Sequence, residues 1–132
     1  MRLTLAALAA ALAAGSASAS PLVVSLDQCA DQYVLALADP ASVAAVSPRA
    51  DDRDSWLRSR GAAAHRARPT LEAILAARPE IVVRYWGGDE RLLQALQRRG
   101  VRVVRVEDAV DFEGVRANID RVSAALNRRG RG

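Results

Sequence analysis

The 132-residue chain has no lysine, one cysteine, one histidine and few aromatics: one Phe, two Trp and two Tyr. With Cys29 alone, no intrachain disulfide can form. With His65 as the sole imidazole, neither a zinc cluster nor a Cys–His catalytic pair is suggested. The missing lysine also removes the P-loop cation, and no G-x-G-x-x-G run replaces it, so nucleotide binding has little support. Nothing pairs a nucleophile with a base, and catalysis is not expected. The net charge of +4 suggests nucleic acid until its placement is read. Arg2 lies at the start and Arg128, Arg129 and Arg131 crowd the end. Setting those aside leaves fifteen arginines against the fifteen acidic residues, with no basic stripe interleaved with aromatics. No apolar run reaches the roughly 20 residues that span a bilayer.

The longest apolar run lies in "MRLTLAALAAALAAGSASAS". Arg2 forms a positive n-region, Leu3 to Ala14 an apolar h-region, and Ala17-Ser18-Ala19 an A-x-A cleavage site. The expectation is a secretory signal over residues 1–19, cleaved to leave a periplasmic chain without an integral membrane segment. Cys29 lies too far behind that run, in the context "LDQC", to be a lipid-attachment cysteine. The remaining residues, about 110, suit one domain. Residues 20–127 form it, and 128–132 are a basic disordered tail.

The domain alternates strand and helix signals. "PLVVSL" (21–26) is a short aliphatic strand, and "QCADQYVLALAD" follows at helical spacing, with Asp27 as N-cap and Asp39-Pro40 as its stop. "SVAAVS" (42–47) is a second strand. Residues 48–69 carry prolines and charges without a sustained period, which predicts a long loop with one helical turn around Trp56. "TLEAILAARP" is a helix capped by Thr70, "EIVVRY" a strand, "DERLLQALQRRG" a helix closed by Gly100, and "VRVVRV" a fourth strand. In the last segment Phe112, Val115, Ile119, Val122 and Leu126 form one stripe of an amphipathic helix capped by Asp111. Strands near 22–26, 42–46, 80–85 and 101–106, each followed by a helix, predict an α/β fold. Its parallel four-stranded sheet has order 2-1-3-4 and helices on both faces.

Ligands of such sheets lie beyond the carboxyl ends of the strands. Two segments meet that rule: "SLDQCAD", with Asp27, Gln28, Cys29 and Asp31, and "RYWGGDE", with Trp86, Gly87 and Gly88. Along the third strand Ile81, Val83 and Tyr85 share one face, while Val82, Arg84 and Trp86 share the other. Trp86 is either a core ring closing the end of the sheet or a ligand-facing one, and Trp56 is open to the same two roles. The glycines serve a turn that needs positive φ, or leave backbone bare for close approach. Asp27 and Asp31 are a possible carboxylate pair, although capping suffices for Asp27. A lone cysteine such as Cys29 is ordinarily a small buried hydrophobe.

Taken in order, "VVSLDQCADQYVLALADPASVAAVS", "RPTLEAILAARPEIVVRYWGG", "LLQALQRRGVRVVRVED" and "FEGVRANIDRVSAAL" resemble the periplasmic substrate-binding proteins of ABC importers for cobalamin and ferric siderophores. The similarity runs over nearly all of residues 22–127. The cobalamin binder carries a Trp and a Gly-Gly in the corresponding loop, one residue out of step with Trp86, Gly87 and Gly88. The resemblance implies one lobe of a class III periplasmic binding protein fold, in which two lobes joined by a long helix hold ligand between them. On that pattern this chain reads as a truncated, single lobe. The resemblance further implies a metal chelate or corrinoid (haem, ferric siderophore or cobalamin) as ligand. It also implies an ABC permease as partner, met by Glu90, although an acidic first-turn residue favoured by the helix dipole is the more ordinary account of Glu90. No cofactor, metal site or nucleic acid is expected. Two alternatives stand beside this reading: an exported α/β module that meets a protein partner, or a non-functional fragment.

Overall fold

The computed structural model describes residues 19–127. The expected secretory signal, but for Ala19, and the basic tail lie outside the described residues. The elements run β1 (Val23–Ser25), α1 (Gln28–Leu37), a 3-10 turn (Pro40–Ser42), β2 (Val43–Ala45), α2 (Arg58–Ala63), α3 (Leu71–Ala76), β3 (Ile81–Arg84), α4 (Glu90–Gln97), β4 (Arg102–Arg105) and α5 (Phe112–Ala125). The sheet has four strands in the order β2-β1-β3-β4, every pairing parallel. This is the α/β sheet that the sequence predicts, each strand trimmed by a residue or two at its ends.

Side-chain alternation builds a core on each face of the sheet. Val23, Ile81, Val83 and Val104 pack with Val34 and Leu37 of α1 and Val122 and Ala125 of α5. Val24, Ala45 and Val82 pack with Ile74 of α3 and Leu93 and Leu96 of α4. β1 is buried throughout, as a parallel strand covered on both faces must be. The expected caps form: Asp27, Thr70 and Asp111 each accept a backbone N–H from the first turn of α1, α3 and α5. Asp89 does the same for α4. Gly100 takes φ 80° after α4, where a left-handed residue closes the helix.

Two expectations are corrected. The helical turn expected around Trp56 begins after it, at Arg58, and no side chain caps it. Beyond α2 the chain returns beside β2 through a parallel bridge between Val46 and Arg66, which 48–69 read as a loop did not foresee. Gly61 permits that course, since a Cβ there would lie 2.3 Å from the Ala50 carbonyl oxygen. The stripe of α5 is also buried only in part. Val122 and Leu126 are core and Ile119 is partly buried, but Phe112 is 93% exposed and Val115 38%. The residues that pack against the sheet and α1 all lie in the later turns of α5, from Ile119 onward.

Candidate functional site

The connections that leave the carboxyl ends of β1, β2 and β3 hold the residues singled out above, and hydrogen bonds tie them together. Asp27 is central. Its Oδ1 caps α1 by accepting from Ala30 N at 2.9 Å. Its Oδ2 accepts from three successive amides of the β3–α4 turn: Tyr85 N at 2.7 Å, Trp86 N at 3.2 Å and Gly87 N at 2.9 Å. The carboxylate thus fastens the turn after β3 onto the turn after β1. Gly87 completes the joint, because a Cβ there would stand 2.4 Å from the Leu26 carbonyl oxygen. Gly88 supplies the positive φ, 77°, that the turn requires.

Asp31 is tied in the same manner. It accepts from the Ser25 hydroxyl, from Ser47 N at 2.9 Å and from the Ser47 hydroxyl at 2.6 Å, joining α1 to the ends of β1 and β2. Burial pushes its carboxyl above the ordinary carboxylate range, and the Asp27 charge adds to that, against the lowering by the serine hydrogen bonds. Asp27 and Asp31 are therefore interior groups, 1% and 0% exposed, and neither presents a carboxylate at the surface. Gly87 is likewise buried, its backbone facing Leu26.

What reaches the surface is different. Trp86 is 52% exposed, and its side chain lies beside that of Cys29. Cys29 is exposed, contrary to the buried hydrophobe expected of a lone cysteine. Partial burial of its sulfur and the Asp27 charge push the thiol up, and the Trp86 contact opposes them. Tyr85 turns to the opposite face and packs against the α1–α5 core, and the Asp108 carboxylate near its hydroxyl pushes the phenol up. Gln28, the first residue of α1, donates to Asp54 Oδ1 at 2.7 Å and to Ser55 Oγ at 3.0 Å. Gln32 Oε1 accepts from Leu57 N at 2.9 Å. These bonds draw the 48–57 loop, with Trp56 88% exposed, to the amino end of α1 and hence to the carboxyl edge of the sheet.

Among the described residues the large hydrophobic side chains left exposed are Trp56, Trp86, Val110, Phe112 and Val115. All five follow a strand's carboxyl end, after β2, β3 or β4. Val110 and Phe112 were missed as site candidates. The signal was available, since Phe112 opens the helix after β4 much as Trp86 precedes the helix after β3. A groove of about 570 Å³ beside Trp86, between the first turns of α3 and α4, is lined by Leu71, Glu72, Asp89, Arg91 and Leu92 among others. Glu90 is exposed, and its Oε2 pairs with Arg105 at 3.1 Å. Among the described residues no group of three or more His, Cys, Asp or Glu could hold a metal ion, and no helix is long and apolar enough to cross a membrane.

No family model matches the chain, and no curated protein matches it in sequence. Solved structures do match. A periplasmic haem-binding protein from Pseudomonas aeruginosa superposes with a TM-score of 0.69 at 20% identity, over 85% of this chain and 40% of that one. The periplasmic haem-binding protein BhuT, solved with two haems, gives 0.70 at 20% identity, over 85% and 43%. RhuT, a periplasmic haem-binding protein from Roseiflexus sp. RS-1 in its apo form, gives 0.68 at 22% identity, over 85% and 43%. The chain has the fold of one lobe of a class III periplasmic binding protein. It spans less than half the length of the solved proteins it matches. In this lobe, as in other parallel α/β sheets, the carboxyl edge is the face on which a ligand would lie.

Proposed function

We propose that this lobe is a substrate-binding element of an ABC importer and that its carboxyl edge receives a large, partly planar metal chelate or corrinoid. One observation carries the reading: Trp86 is exposed in the turn after β3, and Trp56 and Phe112 are exposed in the connections after β2 and β4. With strands about 4.8 Å apart, the connections after β2 and β4 are separated by about 14 Å, so Trp56, Trp86 and Phe112 span a broad shallow surface. Such a surface suits an aromatic macrocycle better than a small solute. The fold match supports the class, because the solved proteins named above are haem binders. Trp86 is the anchor, Trp56, Gln28 and Cys29 flank it, and Asp27, Asp31, Gly87 and Gly88 hold the surface in place from behind. Binding rather than catalysis is the role.

Titration of the chain with haem, cyanocobalamin and a ferric siderophore, followed by tryptophan fluorescence, tests the reading. The described residues cover such a ligand from one side, so affinity for this chain is expected to be micromolar or poorer, no more than about 8 kcal/mol. Trp86→Ala is expected to weaken the preferred ligand about tenfold or more. Equal binding by both chains would make Trp86 a structural ring. Failure of every ligand to bind, with self-association or capture of a protein through the same edge, would favour the interaction-module reading instead.

A further inference from the structure

The strand order β2-β1-β3-β4 makes β2 and β4 the outer strands, so the connections leaving their carboxyl ends stand at opposite ends of the edge. Those two ends differ in free charge. After β4, residues 107–113 hold Glu107, Asp108, Asp111 and Glu113, all exposed, and no basic residue. None of these carboxylates enters an ion pair among the described residues. After β2 the acids are already engaged: Asp52 pairs with Arg49, Asp51 with Arg66, and Asp54 accepts from Gln28. Arg53 and Arg58, on either side of Trp56 in sequence, are exposed and enter no ion pair among the described residues. Each end also exposes large apolar side chains, Trp56 beside the free arginines and Val110 and Phe112 among the free carboxylates. Aromatic residues and arginine are the side chains in which protein interfaces are enriched over other surface.

We propose that the carboxyl edge pairs with the same edge of a second copy of this chain about a two-fold axis. The acidic Phe112 end of each copy meets the basic Trp56 end of the other. A two-fold contact is isologous, so the match of Arg53 and Arg58 with the 107–113 carboxylates is made twice. Pairing like ends instead sets carboxylate on carboxylate, and that repulsion selects the opposite-ended arrangement. The axis passes between the two central strands, β1 and β3, where Cys29 and Trp86 follow in the next connections. A half-exposed Trp86 from each copy then lies near the centre, with the charged contacts towards the rim. The pairing goes beyond the ligand-binding reading and needs no ligand, although a ligand at Trp86 would be covered by both copies.

Sedimentation velocity over a concentration series, without ligand, tests the pairing. The native chain is expected to show a monomer–dimer equilibrium in the micromolar range or weaker, loosened as salt is raised. Arg53→Glu with Arg58→Glu makes both ends acidic, and Glu107→Arg with Glu113→Arg makes both ends basic. Each double variant alone should dimerise about tenfold more weakly than the native chain. An equimolar mixture of the two, in which both contacts again join opposite charges, should recover association as a heterodimer. Circular dichroism checks that each variant folds; where one does not, Arg53→Glu and Glu107→Arg singly take the place of the pairs. A native chain that stays monomeric throughout overturns the proposal, as does a dimer indifferent to these reversals or a mixture that recovers nothing. Haem binding by a chain that stays monomeric would leave the ligand-binding reading standing, so the two fail separately.

Discussion

Asp27 performs two tasks with its two oxygens, and substitution separates them. Oδ1 caps α1; Oδ2 collects the amides of Tyr85, Trp86 and Gly87 at 2.7, 3.2 and 2.9 Å. Loss of the cap alone costs about 1 kcal/mol. A hydrogen bond to a charged group contributes about 1.5–3 kcal/mol. Three amides sharing one oxygen, one of them at longer range, together contribute about 3 kcal/mol by the same measure. Asp27→Ala is therefore expected to cost about 4 kcal/mol in all, a large part of the 5–15 kcal/mol that holds a typical domain. Asp27→Ser keeps an oxygen for the cap but cannot reach the β3–α4 turn, and should cost about 3 kcal/mol. Urea unfolding followed by far-ultraviolet circular dichroism measures both, with an unchanged m-value as the check that two states persist. The free turn should also alter Trp86 emission in the folded Ser variant. A loss of about 1 kcal/mol or less in Asp27→Ala would mean that the three amides find water or other partners equally well. The fastening described here would then be wrong.

Gly87→Ala places a Cβ 2.4 Å from the Leu26 carbonyl oxygen, in backbone that cannot step aside, and is expected to cost about 2–3 kcal/mol by thermal or urea unfolding. Gly100→Ala, with φ 80° and open space around it, should cost only about 1 kcal/mol, and equal losses would contradict the close approach at Gly87. Burial raises the Asp31 carboxyl, so the folded chain holds that proton more tightly than the unfolded one. Its contribution to stability is present at acid pH and is lost as pH rises from the ordinary carboxylate value through the raised folded one. The stability of the native chain relative to Asp31→Asn should accordingly fall across that interval, and a flat difference would refute the assignment.

The sheet was legible because a parallel strand buried on both faces leaves an unmistakable trace. "IVVRY" and "VRVVRV", each preceded by a helix stop at Pro79 or Gly100, fix both the strand and its direction. The helix caps were legible for a similar reason, since capping is a contact between residues three apart. The joint at Asp27 was not. Its Oδ2 meets amides 58 to 60 positions away, and nothing near Asp27 announces a second task once capping explains it. Phe112 was misread for the opposite reason. Its spacing with Ile119 and Val122 is helical, but periodicity cannot tell which turns of a helix find a core to pack against. Gly87 and Gly88 were legible as a pair of needs, positive φ and close approach. Which glycine met which need became visible only when Leu26 lay against Gly87.

Burial of the two aspartates also sets the character of the edge. Had Asp27 and Asp31 faced outward, their paired charge would have favoured cations and raised the cost of stacking any acidic macrocycle on Trp86. Drawn inward, they lock the connections after β1, β2 and β3 together and leave Trp86 exposed beside them. A ligand on such a surface loses little to loop ordering, because the backbone that carries Trp86 is already held by three hydrogen bonds. On the proposed reading, the carboxylates that looked like binding groups in the sequence instead hold Trp86 in place. Removing Asp27 should therefore weaken a ligand that never touches it. Its effect should appear as a loss of affinity in the haem titration.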